Sequence, residues 1–79
     1  MTPTHFYNGG EHGPQYGDAE WLIDQLNQLA KPVREQVSKR YSEIYQELEL
    51  SDPNQCRKRV NTWMRKTVIK NKNTDIVPF

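Results

Sequence analysis

The chain has 79 residues, enough for one domain and too few to bury a large core. Its formal net charge is only +1, so the total charge by itself indicates no class of partner. Cys56 is the one cysteine, which excludes a disulfide within these residues and fits a reducing compartment. The first residues lack a basic start, and no stretch approaches the roughly 20 apolar residues of a membrane span. We therefore expect a cytoplasmic protein with no membrane partner.

Charge is distributed unevenly along the chain. Residues 1–30 carry four acidic side chains and no Lys or Arg, which gives −4. Residues 51–79 carry seven basic and two acidic side chains, which gives +5. This asymmetry indicates that an anionic partner binds near the C-terminal third. The alternative is intramolecular, with the acidic first part packed against the basic last part.

Residues 1–17 are predicted to form a flexible segment. Four glycines and two prolines fall in this range, a density that favours turns over regular elements. Phe6, Tyr7 and Tyr16 are unusual in a disordered segment, where aromatic residues are rare. These rings either pack back onto the rest of the protein or insert into a pocket of a partner.

Residues 18–72 are predicted to form three helices. Apolar residues recur at three- and four-residue spacings, the pattern of amphipathic helices. The predicted helices cover residues 18–30, 32–50 and 53–70, and residues 73–79 form a short tail. Two junctions with almost no linker favour helices that share one small core. The predicted fold class is all-α: a compact three-helix domain with a flexible N-terminal segment.

Short polar residues and prolines mark the predicted helix ends. Asp18 is a good N-cap for the first helix, because its carboxylate can accept a free backbone N–H. Pro32 ends that helix and tolerates the first turn of the next one. Asp52 and Pro53 repeat this arrangement, so Asp52 is predicted to cap the third helix and Pro53 to occupy its first position.

The third helix gives the strongest chemical signal. At about 100° per residue its apolar side chains fall on one side and its basic side chains on the other. Such a helix packs on a small core while presenting positive charge to phosphates. A merely solvated face and a docking surface for an acidic protein are the two alternatives. The predicted nucleic-acid-binding residues are Lys58, Arg59, Arg65, Lys66 and Lys70.

No combination of residues predicts catalysis. His5 and His12 lie seven residues apart in a flexible segment, which is not a metal-site spacing. Cys56 lies near Arg57 and in the first turn of the third helix, and both features lower a thiol pKa. The helical region has no histidine to act as its base, so we interpret Cys56 as a buried small residue. We expect no enzyme activity, no metal and no cofactor.

Two stretches give the chain a resemblance to a known group of proteins. They are GDAEWLIDQLNQL at residues 17–29 and RKRVNTWMRKTV at residues 57–68. In general character they resemble small accessory proteins of lambda-like bacteriophages and prophages of enteric bacteria. Such proteins regulate replication or transcription, or bind and redirect host machinery. The resemblance implies a non-enzymatic regulatory role and transfers no functional residue.

Two functional hypotheses follow, together with a question of assembly. The leading hypothesis is a regulatory protein that contacts nucleic acid or a nucleoprotein complex through the third helix. The alternative is an inhibitor or adaptor of a host protein with no nucleic-acid role, anchored by aromatic side chains of the kind enriched at binding hot spots. A homodimer is a further interpretation, because association stabilises a core this small. The predicted partner-binding anchors are Phe6, Tyr7, Tyr16 and Trp21.

Overall fold

Three α-helices form the fold in a computed structural model that describes residues 2–73. They are α1 (Ala19–Leu26), α2 (Lys31–Ser51) and α3 (Cys56–Asn71). Residues 2–73 contain no strand, and the predicted all-α three-helix domain is confirmed. Apart from Asn73, the predicted tail lies outside the described residues. No helix in the described range is both long and apolar enough to cross a bilayer.

The core is a single apolar cluster to which all three helices contribute. Tyr41 of α2 is its largest fully buried side chain. α2 and α3 pack along each other more extensively than either packs on α1. Phe6, Trp21 and Trp63 are half-buried against the edge of this cluster. The buried members are Leu22, Leu26, Leu29, Val33, Val37, Tyr41, Val60, Met64 and Val68.

α1 ends earlier than predicted, and an arginine of α2 holds its end. The helix stops at Leu26 rather than residue 30, and the Leu29 N–H donates to the Leu26 carbonyl at 3.0 Å in the turn that follows. The Arg34 guanidinium donates to the carbonyl oxygens of Leu26 and Leu29, each at 3.0 Å. Carbonyls at a helix C-terminus lack partners within the helix. Arg34 therefore fixes the end of α1 against the start of α2.

The junction between α2 and α3 differs from the prediction. Asp52 is not the N-cap of α3, because it closes α2 instead: its N–H donates to the Leu48 carbonyl at 2.7 Å. The Asp52 carbonyl then accepts the Gln55 N–H at 3.1 Å, which places Pro53 in a turn. α3 begins at Cys56, three residues later than expected. Pro32, in contrast, does lie in the first turn of α2 as predicted.

Residues 2–17, predicted as a flexible segment, lie against the helices. They form two single 3₁₀ turns, Gly10–His12 and Pro14–Tyr16. The Thr4 N–H donates to the Ser42 hydroxyl of α2 at 2.9 Å. Gly9 has a φ of +97°, and a Cβ there would lie 1.8 Å from the Gly13 carbonyl oxygen, so the first turn requires glycine. Phe6 thereby packs against the core, and the Tyr7 ring contacts Arg57 of α3.

Candidate nucleic-acid interface

α3 presents a strongly basic face to solvent. Between Cys56 and Asn71 it has six basic residues and no acidic residue. Its apolar side chains Val60, Met64 and Val68 are buried in the core. Lys58 and Lys70 are 12 positions apart, about 18 Å at 1.5 Å per residue. All five predicted nucleic-acid-binding residues are exposed on this helix: Lys58, Arg59, Arg65, Lys66 and Lys70.

Most of these cations have no acidic partner in the described part of the chain. Arg59 lies 3.6 Å from the Asp52 carboxylate, and both side chains are partly exposed. Such surface ion pairs contribute about 0–1 kcal/mol, so this pair holds Arg59 only weakly. Among residues 2–73, no carboxylate lies within 4.0 Å of the other four, so their positive charge is uncompensated. These four are Lys58, Arg65, Lys66 and Lys70.

The positive charge is concentrated at an unfavourable end of the helix. Arg57, Lys58 and Arg59 all lie in the first turn of α3, where the helix dipole is also positive. A cation there costs about 0.3–1 kcal/mol at low salt. Asp18 and Asp52 offset this for the two arginines, whereas no carboxylate of residues 2–73 lies within 4.0 Å of Lys58. The requirements of helix stability alone therefore do not account for Lys58.

Arg57 is held by Asp18, the residue predicted as the N-cap of α1. Asp18 occupies the cap position, but its side chain makes no capping hydrogen bond, so that part of the prediction is wrong. Its carboxylate instead accepts Arg57 Nε at 2.9 Å and Nη2 at 2.7 Å, and Asn61 Nδ2 at 3.0 Å. The Tyr41 hydroxyl donates to Asn61 Oδ1 at 2.5 Å. These bonds join all three helices.

The surroundings of Tyr41 and Arg57 raise the pKa of both groups. Burial raises the pKa of Tyr41 well above its ordinary value, so the hydroxyl remains a donor. The hydrogen bonds that Arg57 donates to the Asp18 carboxylate raise the pKa of Arg57, and the Tyr7 ring centroid lies 4.5 Å from the guanidinium carbon. No buried side-chain N or O atom of the described residues lacks a hydrogen-bond partner. The network therefore connects the helices with all of its buried polar atoms hydrogen-bonded, and it leaves part of Arg57 exposed.

A cleft of about 500 Å³ lies beside this hydrogen-bond network, where the start of α1 meets α3. Trp21 is half-buried in its wall, and the Arg65 guanidinium carbon lies 5.2 Å from the Trp21 ring centroid. A cation–π contact at an exposed site contributes about 0.5–1 kcal/mol. Three cations and one aromatic ring thus surround one cavity. The lining residues are Asp18, Trp21, Arg57, Lys58, Asn61 and Arg65.

Arg57 is the one cation of the cleft lining that the predicted site lacks. A signal for it exists in the sequence, because Arg57, Asn61 and Arg65 recur at intervals of four and therefore share one side of α3. Lys66 and Lys70 do not line the cleft and extend the basic face beyond it. The structure thus divides the predicted residues between a cleft and a helical face.

The four aromatic anchors of the alternative hypothesis have different environments. Phe6 packs against the core, while Tyr7 and Trp21 contact Arg57 and Arg65. Tyr16 is 60% exposed, with its ring edge toward His12 at a centroid distance of 6.1 Å. Three of the four rings therefore contact the core or α3, whereas the Tyr16 ring contacts His12 and is largely exposed.

Cys56 is buried, as interpreted from the sequence, but its thiol pKa is raised and not lowered as expected. Its Sγ lies 3.2 Å from the Tyr45 carbonyl oxygen, to which the thiol donates. Burial raises the thiol pKa, and the carboxylates of Glu49 and Asp52 raise it further. The expected lowering is wrong, because burial and these two carboxylates disfavour the charged thiolate. In the described part of the chain, His, Cys, Asp and Glu side chains nowhere gather in a group of three suited to a metal ion.

Comparisons of the chain with protein-family models, with curated proteins and with solved structures give no match.

Proposed function

We propose that this is a non-enzymatic binding protein that contacts nucleic acid, alone or in a nucleoprotein complex, through the basic face of α3. The supporting observation is a helix with six basic and no acidic residues, of which four exposed cations lack a carboxylate partner among residues 2–73. A nucleic-acid backbone carries regularly spaced negative charges, so several of its phosphates can contact this row of cations at once. The proposal includes a regulatory role, like that of the phage accessory proteins that the sequence resembles.

The acidic N-terminal part does not offer a general counter-charge for this face. Residues 2–30 contain Glu11, Asp18, Glu20 and Asp24, and Asp18 is the one among them that pairs with a cation of α3. The intramolecular interpretation of the charge asymmetry therefore accounts for Arg57. Arg59 pairs weakly with Asp52, and the other four cations have no carboxylate partner among residues 2–73, so an external anion or solvent remains for them.

Binding to random-sequence duplex and single-stranded DNA across a salt series tests the proposal. Each neutralised phosphate contributes about −0.9 to the slope of log affinity against log salt concentration on duplex DNA. The four unpaired cations give a slope of about −3.6, and release of Arg59 from Asp52 brings it to about −4.5. No binding at low salt, or a nearly flat salt dependence, would contradict the proposal.

A pair of charge-reversal variants locates the surface. Arg65→Glu with Lys66→Glu should abolish binding or lower the magnitude of the slope by about 1.8. The matched control is Lys31→Glu with Lys39→Glu, which makes the same change in total charge at exposed positions of α2. Equal losses in both variants would mean that total charge, and not the face of α3, determines binding. Circular dichroism checks that both variants keep their helices.

The exposed ring of Tyr16 favours one alternative function, an inhibitor or adaptor of a host protein. Tyr16→Ala removes this anchor without touching the core or α3. Under the leading proposal the variant binds DNA as the wild type does. A wild-type protein that fails to bind DNA but captures a host protein, and loses it on Tyr16→Ala, would favour the alternative.

A further inference from the structure

The cleft between α1 and α3 combines an aromatic wall with a cationic rim. This combination indicates which class of nucleic acid the cleft binds. Trp21 supplies the ring, and Arg57, Lys58 and Arg65 supply the charges. Sites for single-stranded nucleic acid have this composition, because bases stack on aromatic rings while cations follow the backbone. At about 500 Å³ the cleft also falls within the range of sites that enclose small molecules.

We propose that this cleft binds one unstacked base of a single-stranded nucleic acid on the Trp21 ring, with an adjacent phosphate held by Lys58 and Arg65. The inference rests on the proposed function, since it requires α3 to contact nucleic acid. It adds the class of ligand: a strand with accessible base faces, in preference to a duplex.

The position of Trp21 explains the preference for single strands. The ring is half-buried in the wall of a cleft and does not project from the surface. In a duplex both faces of each base are covered by neighbouring base pairs, so a recessed ring meets a base only after the base has left the stack. A single strand presents such bases without unpairing.

The cations around the ring differ in their freedom to move. Two hydrogen bonds to Asp18 hold Arg57 in place, so it is a fixed positive charge at the rim. Arg65 is exposed and contacts the Trp21 ring without any carboxylate partner in residues 2–73. A base that stacks on the ring replaces Arg65 there, and the released guanidinium is then close to the phosphate of the same nucleotide. Lys66 and Lys70 continue the positive charge along α3 for the phosphates that follow.

Tryptophan fluorescence tests the inference directly. Trp21 and Trp63 are the two tryptophans, so Trp63→Phe leaves Trp21 as the single emitter and also serves as the control for loss of a tryptophan. This protein is titrated at low salt with a mixed-sequence oligodeoxynucleotide, an oligoribonucleotide of the same sequence, and the matched DNA duplex. We expect single strands to quench the fluorescence of Trp21 and the duplex to leave it unchanged. The two single strands separate a DNA ligand from an RNA ligand.

Substitution of the ring provides the second measurement. Trp21→Leu keeps an apolar side chain but removes the stacking surface, so single-strand affinity should fall about 5- to 150-fold while duplex affinity changes less than about twofold. Trp21→Phe should recover part of the loss. If Trp21→Leu loses helix content, the fluorescence titration decides by itself.

Two failures are distinguishable. Salt-dependent binding to single strands and duplex alike, without quenching of Trp21, would overturn the cleft assignment and leave the basic face of α3 as the working surface. Absence of salt-dependent binding to every nucleic acid would overturn the cleft assignment and the proposed function together.

Discussion

Replacing Asp18 by alanine removes the acceptor that joins α1 to α3. The Asp18 carboxylate accepts three hydrogen bonds, two from Arg57 and one from Asn61. Asp18 and Asn61 are only 5% and 8% exposed. In the variant the Asn61 amide therefore loses its partner at a place that water reaches poorly. The Arg57 side chain is 50% exposed and regains contact with solvent.

These two environments set the magnitude. A buried donor left without its partner costs about 1–3 kcal/mol, whereas the half-exposed ion pair contributes about 0–1 kcal/mol. We expect Asp18→Ala to lower the free energy of unfolding by about 2–3 kcal/mol. For a domain of this size that corresponds to a fall of roughly 8–24 °C in Tm, at 4–8 °C per kcal/mol.

Urea unfolding followed by far-UV circular dichroism measures the effect. Glu20→Ala is the matched control, because Glu20 carries the same charge in the first turn of the same helix, is exposed, and has no ion pair within residues 2–73. Its loss removes only the interaction with the helix dipole, about 0.3–1 kcal/mol. A double-mutant cycle with Asn61→Ala should give a coupling energy of about 0.5–3 kcal/mol.

Two results would refute this reasoning. One is an Asp18→Ala variant no less stable than Glu20→Ala, which would mean that burial of the carboxylate contributes nothing. The other is strict additivity of Asp18→Ala and Asn61→Ala, which would mean that the two side chains act independently despite their 3.0 Å hydrogen bond.

The other polar and buried groups give three further predictions. Arg34→Gln should lower the free energy of unfolding in urea by about 1–2 kcal/mol, because it removes the side-chain hydrogen bonds to the Leu26 and Leu29 carbonyls and leaves Leu26 with the Leu29 N–H alone. The control Arg40→Gln breaks only an exposed contact with Glu43 and should change it by less than about 0.5 kcal/mol, so equal effects would contradict the capping role. Tyr41 has a raised pKa in the folded state, so the stability that its phenol contributes is complete below pH 10.0 and declines as the pH rises above it. The stability difference between wild type and Tyr41→Phe should therefore shrink above that pH by up to about 1.4 kcal/mol per pH unit, and a constant difference would count against this linkage. Alkylation of Cys56 by iodoacetamide at neutral pH should be more than about 100-fold slower in the folded protein than in urea, because the thiol is buried with a raised pKa; similar rates would show that the site opens readily.

The helices were predictable because their signals are local. Apolar residues at three- and four-residue spacing specify a buried stripe whatever the rest of the chain does. The helix boundary at Asp52 and Pro53 was not predictable, because a signal for the end of α2 and a signal for the start of α3 compete there. The pair matches the start of a helix, but α2 continues to Ser51 and takes the Asp52 N–H for its own last turn. The position of the last residue of α2 determines which role Asp52 takes, and that position depends on how α2 packs against the rest of the fold.

The candidate site was predictable only in part, for a similar reason. Helical spacing is sufficient to place Lys58 and Lys66 on the exposed side of α3. The cleft, in contrast, exists because α1 packs beside α3, so that Trp21 meets Arg65 and Asp18 meets Arg57, 39 positions away. Sequence pattern reveals which side chains are cationic or aromatic. It does not reveal which of them meet across two helices.

The long sequence separation between Asp18 and its partners also determines when, during synthesis, α1 can form its contacts with α3. At a translation rate of about 5–20 residues per second, the ribosome adds Arg57 about 2–8 s after Asp18. Until then the carboxylate is hydrated, and Leu22 and Leu26 have no α3 to cover them. Thr4 likewise precedes Ser42 by 38 positions. The part of the domain that the ribosome makes first therefore waits longest for its native partners.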